Sequence, residues 1–148
     1  TAPRDTSDIL VPLNDVVRVP LLAARLGAGP GDQADDARAG TYPLFADDAA
    51  ALGHPRVHLR AARVRGDSMS PLLHDGDTVV LVRDPEARDG MCVIVLGGEV
   101  MVKRVQWAPA GRLRIVSENP AYAPIEVGPD DDVRVIGRVV MRMQRGIR

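Results

Sequence analysis

From residue 58 onward the chain consists of short, valine-rich runs, each cut off by glycine, proline or aspartate. The runs are Leu59–Arg65, Thr78–Arg83, Met91–Leu96, Val100–Trp107, Leu113–Ser117 and residues 132–143. β-Branched residues fit a pleated, half-buried surface, and the intervening Gly, Pro and Asp supply turns. Residues 132–143 alternate most cleanly: Val133, Val135, Val139, Met141 and Met143 fall on one face, with Arg134, Arg138 and Arg142 on the other. Six strands at this spacing predict a mostly-β domain with a curled or paired sheet.

Upstream, Val17, Val19 and Leu21 alternate with Arg18 and Pro20, which predicts a short edge strand. Residues 44–52 are helix-prone and Gly53 suits a C-cap. Residues 1–16 have no sustained period and read as a linker. The run Gly27-Ala28-Gly29-Pro30-Gly31, with the acidic stretch after it, reads as a mobile loop. The chain starts at Thr1 without methionine, so a further segment is expected upstream.

At 148 residues the chain is long enough for one self-sufficient core. A net charge of -1 argues against bulk electrostatic binding to nucleic acid. Four aromatic residues are too few for a base-stacking platform. No apolar run approaches the roughly 20 residues that cross a bilayer. The lone Cys92 allows no internal disulfide, so a reducing, cytoplasmic setting is expected, without metal or cofactor. Of 19 basic residues, one is lysine, Lys103. Lysine can lose its proton when buried, whereas arginine cannot.

Three stretches stand out. In Arg65-Gly66-Asp67-Ser68-Met69-Ser70-Pro71, Gly66 permits a tight reversal and Ser68 stands where a helical turn would begin. Taken alone, Ser68 is most simply an N-cap. The same geometry gathers free backbone N–H groups around a serine oxygen, as an oxyanion hole requires. In Gly97-Gly98-Glu99-Val100-Met101-Val102-Lys103, a glycine turn leads into a strand whose Met101, Lys103 and Val105 share a face. A desolvated lysine there has a lowered pKa and can act as a base; a snorkelling lysine at a sheet edge is the alternative. Ser117-Glu118-Asn119-Pro120-Ala121-Tyr122 reads only as a polar turn.

Together these stretches resemble the self-cleaving repressors of the LexA and lambda-repressor kind, with their UmuD-like relatives. The resemblance rests on Gly66-Asp67-Ser68-Met69-Ser70-Pro71, Asp75-Gly76-Asp77-Thr78-Val79, Val102-Lys103-Arg104, the Ser117–Tyr122 turn and Ile136-Gly137-Arg138-Val139-Val140. It covers about residues 17–143. It implies a LexA-like or signal-peptidase-like β fold, with residues 17–43 as a cleavage-loop region and 44–148 as the catalytic and dimerisation core. It also implies a serine–lysine dyad. Ser68 would be the nucleophile and neutral Lys103 its base, with the backbone N–H groups of Ser68 and Asp67 as oxyanion hole. The substrate would be the chain's own loop, cut between Ala28 and Gly29, with Ala39–Gly40 a lower-ranked pair because Gly40-Thr41-Tyr42 resembles the strand after the family's cleavage loop. Small residues there present a sterically bare bond, and intramolecular delivery makes weak docking sufficient.

The resemblance further implies a homodimer formed through residues 132–143, whose apolar face and regular edge invite pairing with a second copy, and response to DNA damage through a RecA–single-stranded-DNA filament. Operator DNA would be bound only through an upstream domain. Alternatives in the same family are a UmuD-like accessory subunit of a translesion polymerase and a non-cleaving dimerisation domain. A leader peptidase shares the chemistry but would need a membrane anchor.

Overall fold

In a computed structural model, which describes residues 15–27 and 38–146, the described residues form one mixed nine-stranded sheet with a single short α-helix. The strands are β1 (Val16–Leu22), β2 (Arg38–Phe45), β3 (Leu59–Arg63), β4 (Thr78–Arg83), β5 (Gly90–Leu96), β6 (Glu99–Ala108), β7 (Arg112–Val116), β8 (Ile125–Val127) and β9 (Val133–Met143). The helix α1 spans Ala46–Ala51. Across the sheet the order is β2-β1-β3-β4-β9-β5-β6-β7-β8. Among the described strands only β1 and β3 run parallel, paired at Leu21 and Ala61. The mostly-β expectation holds. Among the described residues no helix is long and apolar enough to cross a membrane.

Three apolar clusters hold the sheet. One joins Leu22 and Leu26 to Met69, Leu73, Val79, Val93, Val102 and Ile136. A second packs β1, β2 and α1 on Leu59 and Val80. A third gathers Cys92, Ile94, Val105, Ile115 and Val135. As expected, the turn between β5 and β6 is Gly97-Gly98, both with positive φ (58° and 81°), a conformation that lets the hairpin close in two residues. Gly53 follows α1 at φ 75°, with its N–H on the Ala50 carbonyl.

Several expectations need correction. β1 is not an edge strand; β2 pairs along its outer side and takes the edge instead. One strand was not anticipated: β8 has only three residues. β2 includes the Gly40-Thr41-Tyr42 strand that the resemblance implied, although Gly40 and Pro43 dilute its alternation. The even alternation across β9 is broken twice. Register shifts against β5 and β4 leave Ile136 and Val140 as extra residues. Each bulge reverses which face the following residues occupy. Val135 therefore feeds the third cluster, Ile136 the first, and Met141 the second. Nor is β9 a regular edge: β4 pairs with residues 137–143 and β5 with residues 133–138.

The bulged β9 crosses β4 very closely at Gly137. A Cβ there would fall on the Val82 carbonyl oxygen, so only glycine fits.

Candidate active site

The loop between β3 and β4 carries Ser68. It is pinned at its base, where the Val64 N–H donates to the Asp77 carbonyl (2.8 Å) and the Gly76 N–H to the Val64 carbonyl (2.9 Å). Gly66 adopts φ 74° and its N–H donates to the Asp75 carboxylate at 2.8 Å. Asp77 is buried and braces the loop from within, accepting the N–H groups of His74 (2.9 Å) and Arg145 (3.0 Å). Met69 and Leu73, both buried, anchor the segment in the first cluster.

Ser68 is not an N-cap. Residues 69–72 form turns with no helix, and the Ser68 hydroxyl faces Lys103 on β6, with Oγ 2.6 Å from Nζ. Lys103 sits on the β6 face that sends Met101 and Val105 into the third cluster, as the alternation predicted. Its Nζ also donates to Ser117 Oγ, just beyond β7, at 3.0 Å. The Tyr122 ring stands 5.7 Å from Nζ. Burial pushes the Lys103 pKa below the ordinary lysine value, and the Glu99 carboxylate opposes this more weakly. Ser68, Lys103, Ser117, Tyr122 and Ile125 line an open cleft of about 370 Å³.

The turn after β7, which looked like a plain polar loop in sequence, closes over the Ser68 segment. The Asn119 N–H donates to the Ser68 carbonyl and Asn119 Nδ2 to the Asp67 carbonyl, both at 3.0 Å. The Tyr122 hydroxyl donates to the Asp67 carboxylate, which raises the Tyr122 pKa. Arg104 Nε donates to Glu118 at 2.6 Å and ties the same turn to β6. Ser117, Asn119 and Tyr122 thus join the site, although their contacts span up to 55 residues of sequence and had no local signal. The amides of Asp67 and Ser68 donate to no acceptor among the described residues.

A family comparison decides what kind of domain this is: a profile described as Peptidase S24-like matches residues 20–140. The chain belongs to the peptidase S24-like family. Among curated relatives of this S24-like domain, "LexA repressor 2" of Pseudomonas putida is 46% identical over 77 residues, 51% of this chain and 38% of the relative. "LexA repressor" of Oleidesulfovibrio alaskensis is 40% identical over 84 residues, 55% of this chain and 40% of the relative. The "26 kDa repressor protein" of Escherichia phage HK022 is 30% identical over 138 residues, 87% of this chain and 58% of the relative. The chain therefore spans less than two thirds of the length of each. In this family setting, a serine hydroxyl beside a half-buried lysine is an arrangement suited to peptide hydrolysis.

Ala28 and Gly29 lie outside the described residues. The segment just before them is docked on β6. The Val100 N–H donates to the Ala24 carbonyl (3.0 Å), the Leu26 N–H to the Gly98 carbonyl (2.9 Å), and Arg25 bridges antiparallel to Glu99. Leu26 is buried in the first cluster, and Arg134 donates to the Gly27 carbonyl at 3.2 Å. The direction matters: from Ala24 to Leu26 the segment runs from Val100 toward Gly98, away from Lys103. Gly98 is five residues before Lys103, about 17 Å along an extended strand. Ala39–Gly40, by contrast, lies inside β2, with Gly40 paired to Leu21.

Proposed function

We propose that this domain is the regulatory half of a LexA- or phage-type repressor and that it cuts its own chain between Ala28 and Gly29. Ser68 Oγ adds to the Ala28 carbonyl carbon and passes its proton to the neutral Lys103 amine. The amides of Ser68 and Asp67 hold the resulting oxyanion. Collapse breaks the bond to the Gly29 nitrogen, which takes the proton back from Lys103. Water, deprotonated by the same amine, then hydrolyses the Ser68 ester. Ser117 holds the Lys103 amine on the line toward Ser68.

One observation carries this reading: the 2.6 Å contact between Ser68 Oγ and a lysine whose ammonium form is disfavoured by burial. Family membership and the repressor relatives support it. The docked register of Ala24–Leu26 implies a conformational step, since Ala28 reaches Ser68 only if the segment slides toward Lys103 or leaves β6. Such a step is where a signal acts by shifting a population. The signal assigned here is a RecA–single-stranded-DNA filament formed on DNA damage, in the cytoplasm. Operator binding belongs to an upstream domain. Pairing with a second copy has one place in β9: beyond Arg138, residues 139–143 pair with β4 on one side and with no described strand on the other.

The test is the self-cleavage rate of the purified chain against pH. Deprotonation of Lys103 activates it, so the rate rises with pH and levels off once the amine is neutral, below the ordinary lysine range. Ser68→Ala is silent throughout. A rate that is flat or falling through that range in folded protein rejects the base assignment.

A further inference from the structure

Asn119 does not line the cleft, whereas Asp67, Ser68 and Met69 do. Asn119 therefore stands behind the nucleophile segment. From there it holds two successive carbonyls, that of Asp67 through Nδ2 and that of Ser68 through its own N–H, both at 3.0 Å. In a trans peptide unit the C=O and the following N–H point in opposite directions. Fixing the Asp67 carbonyl on the outer side therefore turns the Ser68 N–H inward, toward the cleft. The same Asp67 carbonyl accepts the Ser70 N–H at 3.1 Å inside the turn, and Asn119 Nδ2 is the one side-chain donor on it from outside the segment; Asn119 is itself fixed. Its Oδ1 accepts the Ala121 N–H at 3.0 Å, and its carbonyl accepts the Tyr122 N–H at 3.1 Å.

We propose that Asn119 is a positioning residue for the oxyanion hole: its carboxamide clamps the Asp67–Ser68 peptide so that the Ser68 amide faces the developing oxyanion. This rests on the self-cleavage reading above and adds a part to it. Preorganised donors act because no reorganisation is needed when charge develops, and removing one donor costs about 100- to 1,000-fold in rate. Loosening a donor without deleting it costs less, about 10- to 100-fold. The Lys103–Ser68–Ser117 contacts do not involve Asn119.

Two variants separate this role from a purely structural one. Asn119→Asp keeps the oxygen that accepts the Ala121 N–H but has no side-chain donor for the Asp67 carbonyl, which is left with the Ser70 N–H alone. Asn119→Ala loses both. Self-cleavage of the full 148-residue chain is followed against pH, beside wild type and Ser68→Ala, with thermal melts to establish folding. The expected result is a plateau lowered about 10- to 100-fold in both variants, with the pH midpoint of Asn119→Ala unmoved because Lys103 keeps its surroundings. If Asn119 only shapes the turn, Asn119→Asp cleaves at the wild-type rate while Asn119→Ala does not, and the proposal is overturned. A shifted midpoint in Asn119→Ala overturns it too, since Ser68 has then moved relative to Lys103. If both variants match wild type while Ser68→Ala is silent, the clamp is wrong and the peptidase reading survives. If Ser68→Ala still cleaves, or wild type never does, the peptidase reading falls and takes the clamp with it.

Discussion

Replacing Lys103 by methionine separates the chemistry of this site from its packing. Methionine is near lysine in length and apolar, so it suits the face shared with Met101 and Val105. It gives up the contacts to Ser68 Oγ (2.6 Å) and Ser117 Oγ (3.0 Å). Each such bond is worth about 0.5–1.5 kcal/mol net. Against that stands the relief of a desolvated ammonium. The folded-state pKa of Lys103 is lowered, so between that pKa and the unfolded value the unfolded chain binds more protons, and stability rises with pH across that window. Below the folded pKa the burial penalty applies in full, and methionine does not carry it. The two effects oppose each other and leave a net change within about 1 kcal/mol, or about 2–4 °C in Tm.

The catalytic loss is of another order. Removing a positioned base costs about 100- to 10,000-fold in rate. The assay is a thermal melt and a self-cleavage time course on the same preparation. Lys103→Met is expected to melt within a few degrees of wild type near neutral pH and to be uncleaved. Lys103→Arg is expected to be equally silent, because guanidinium keeps its proton. A folded Lys103→Met protein cleaving within tenfold of wild type would refute the assignment of Lys103 as base.

Two further outcomes follow from the fold. Gly137→Ala drives a methyl into the Val82 carbonyl and should destabilise the domain by about 1–3 kcal/mol or more, seen as a lowered urea midpoint with unchanged slope; an unchanged midpoint contradicts the close approach of β4 and β9. Cysteines at Arg25 and Glu99, facing each other across the antiparallel bridge, should form a disulfide that holds the segment in its docked register. The oxidised double variant is expected to resist self-cleavage and to regain it on reduction, whereas cleavage of the oxidised form would show that no slide or release is needed.

The sequence revealed this site unevenly, for physical reasons. Lys103 was legible because strand alternation is local: Met101, Lys103 and Val105 declare a shared face within five residues. Ser68 was legible as a serine in a glycine-gated turn, but its N-cap reading failed. The hydroxyl has a partner 35 residues away that no local rule includes. Ser117 and Asn119 were invisible for the same reason, since their contacts close only after β6 and β7 pair. In β9 the composition was read correctly and the faces were not. A bulge leaves no mark in a run such as Val-Ile-Gly-Arg-Val-Val-Met, where either register buries valine. β8 was missed because it is too short to show a period, and β2 was legible only through the resemblance at Gly40-Thr41-Tyr42, since glycine and proline dilute its alternation.

The most direct measurement is intact-mass spectrometry of the purified 148-residue chain held at mildly alkaline pH, beside Ser68→Ala. Two products are expected to accumulate together from the wild type, residues 1–28 and residues 29–148, the second beginning at Gly29. Ser68→Ala is expected to remain whole. A folded wild-type chain that stays intact, or one cut equally in the Ser68→Ala protein, would contradict the claim that this domain hydrolyses its own backbone with Ser68 and Lys103.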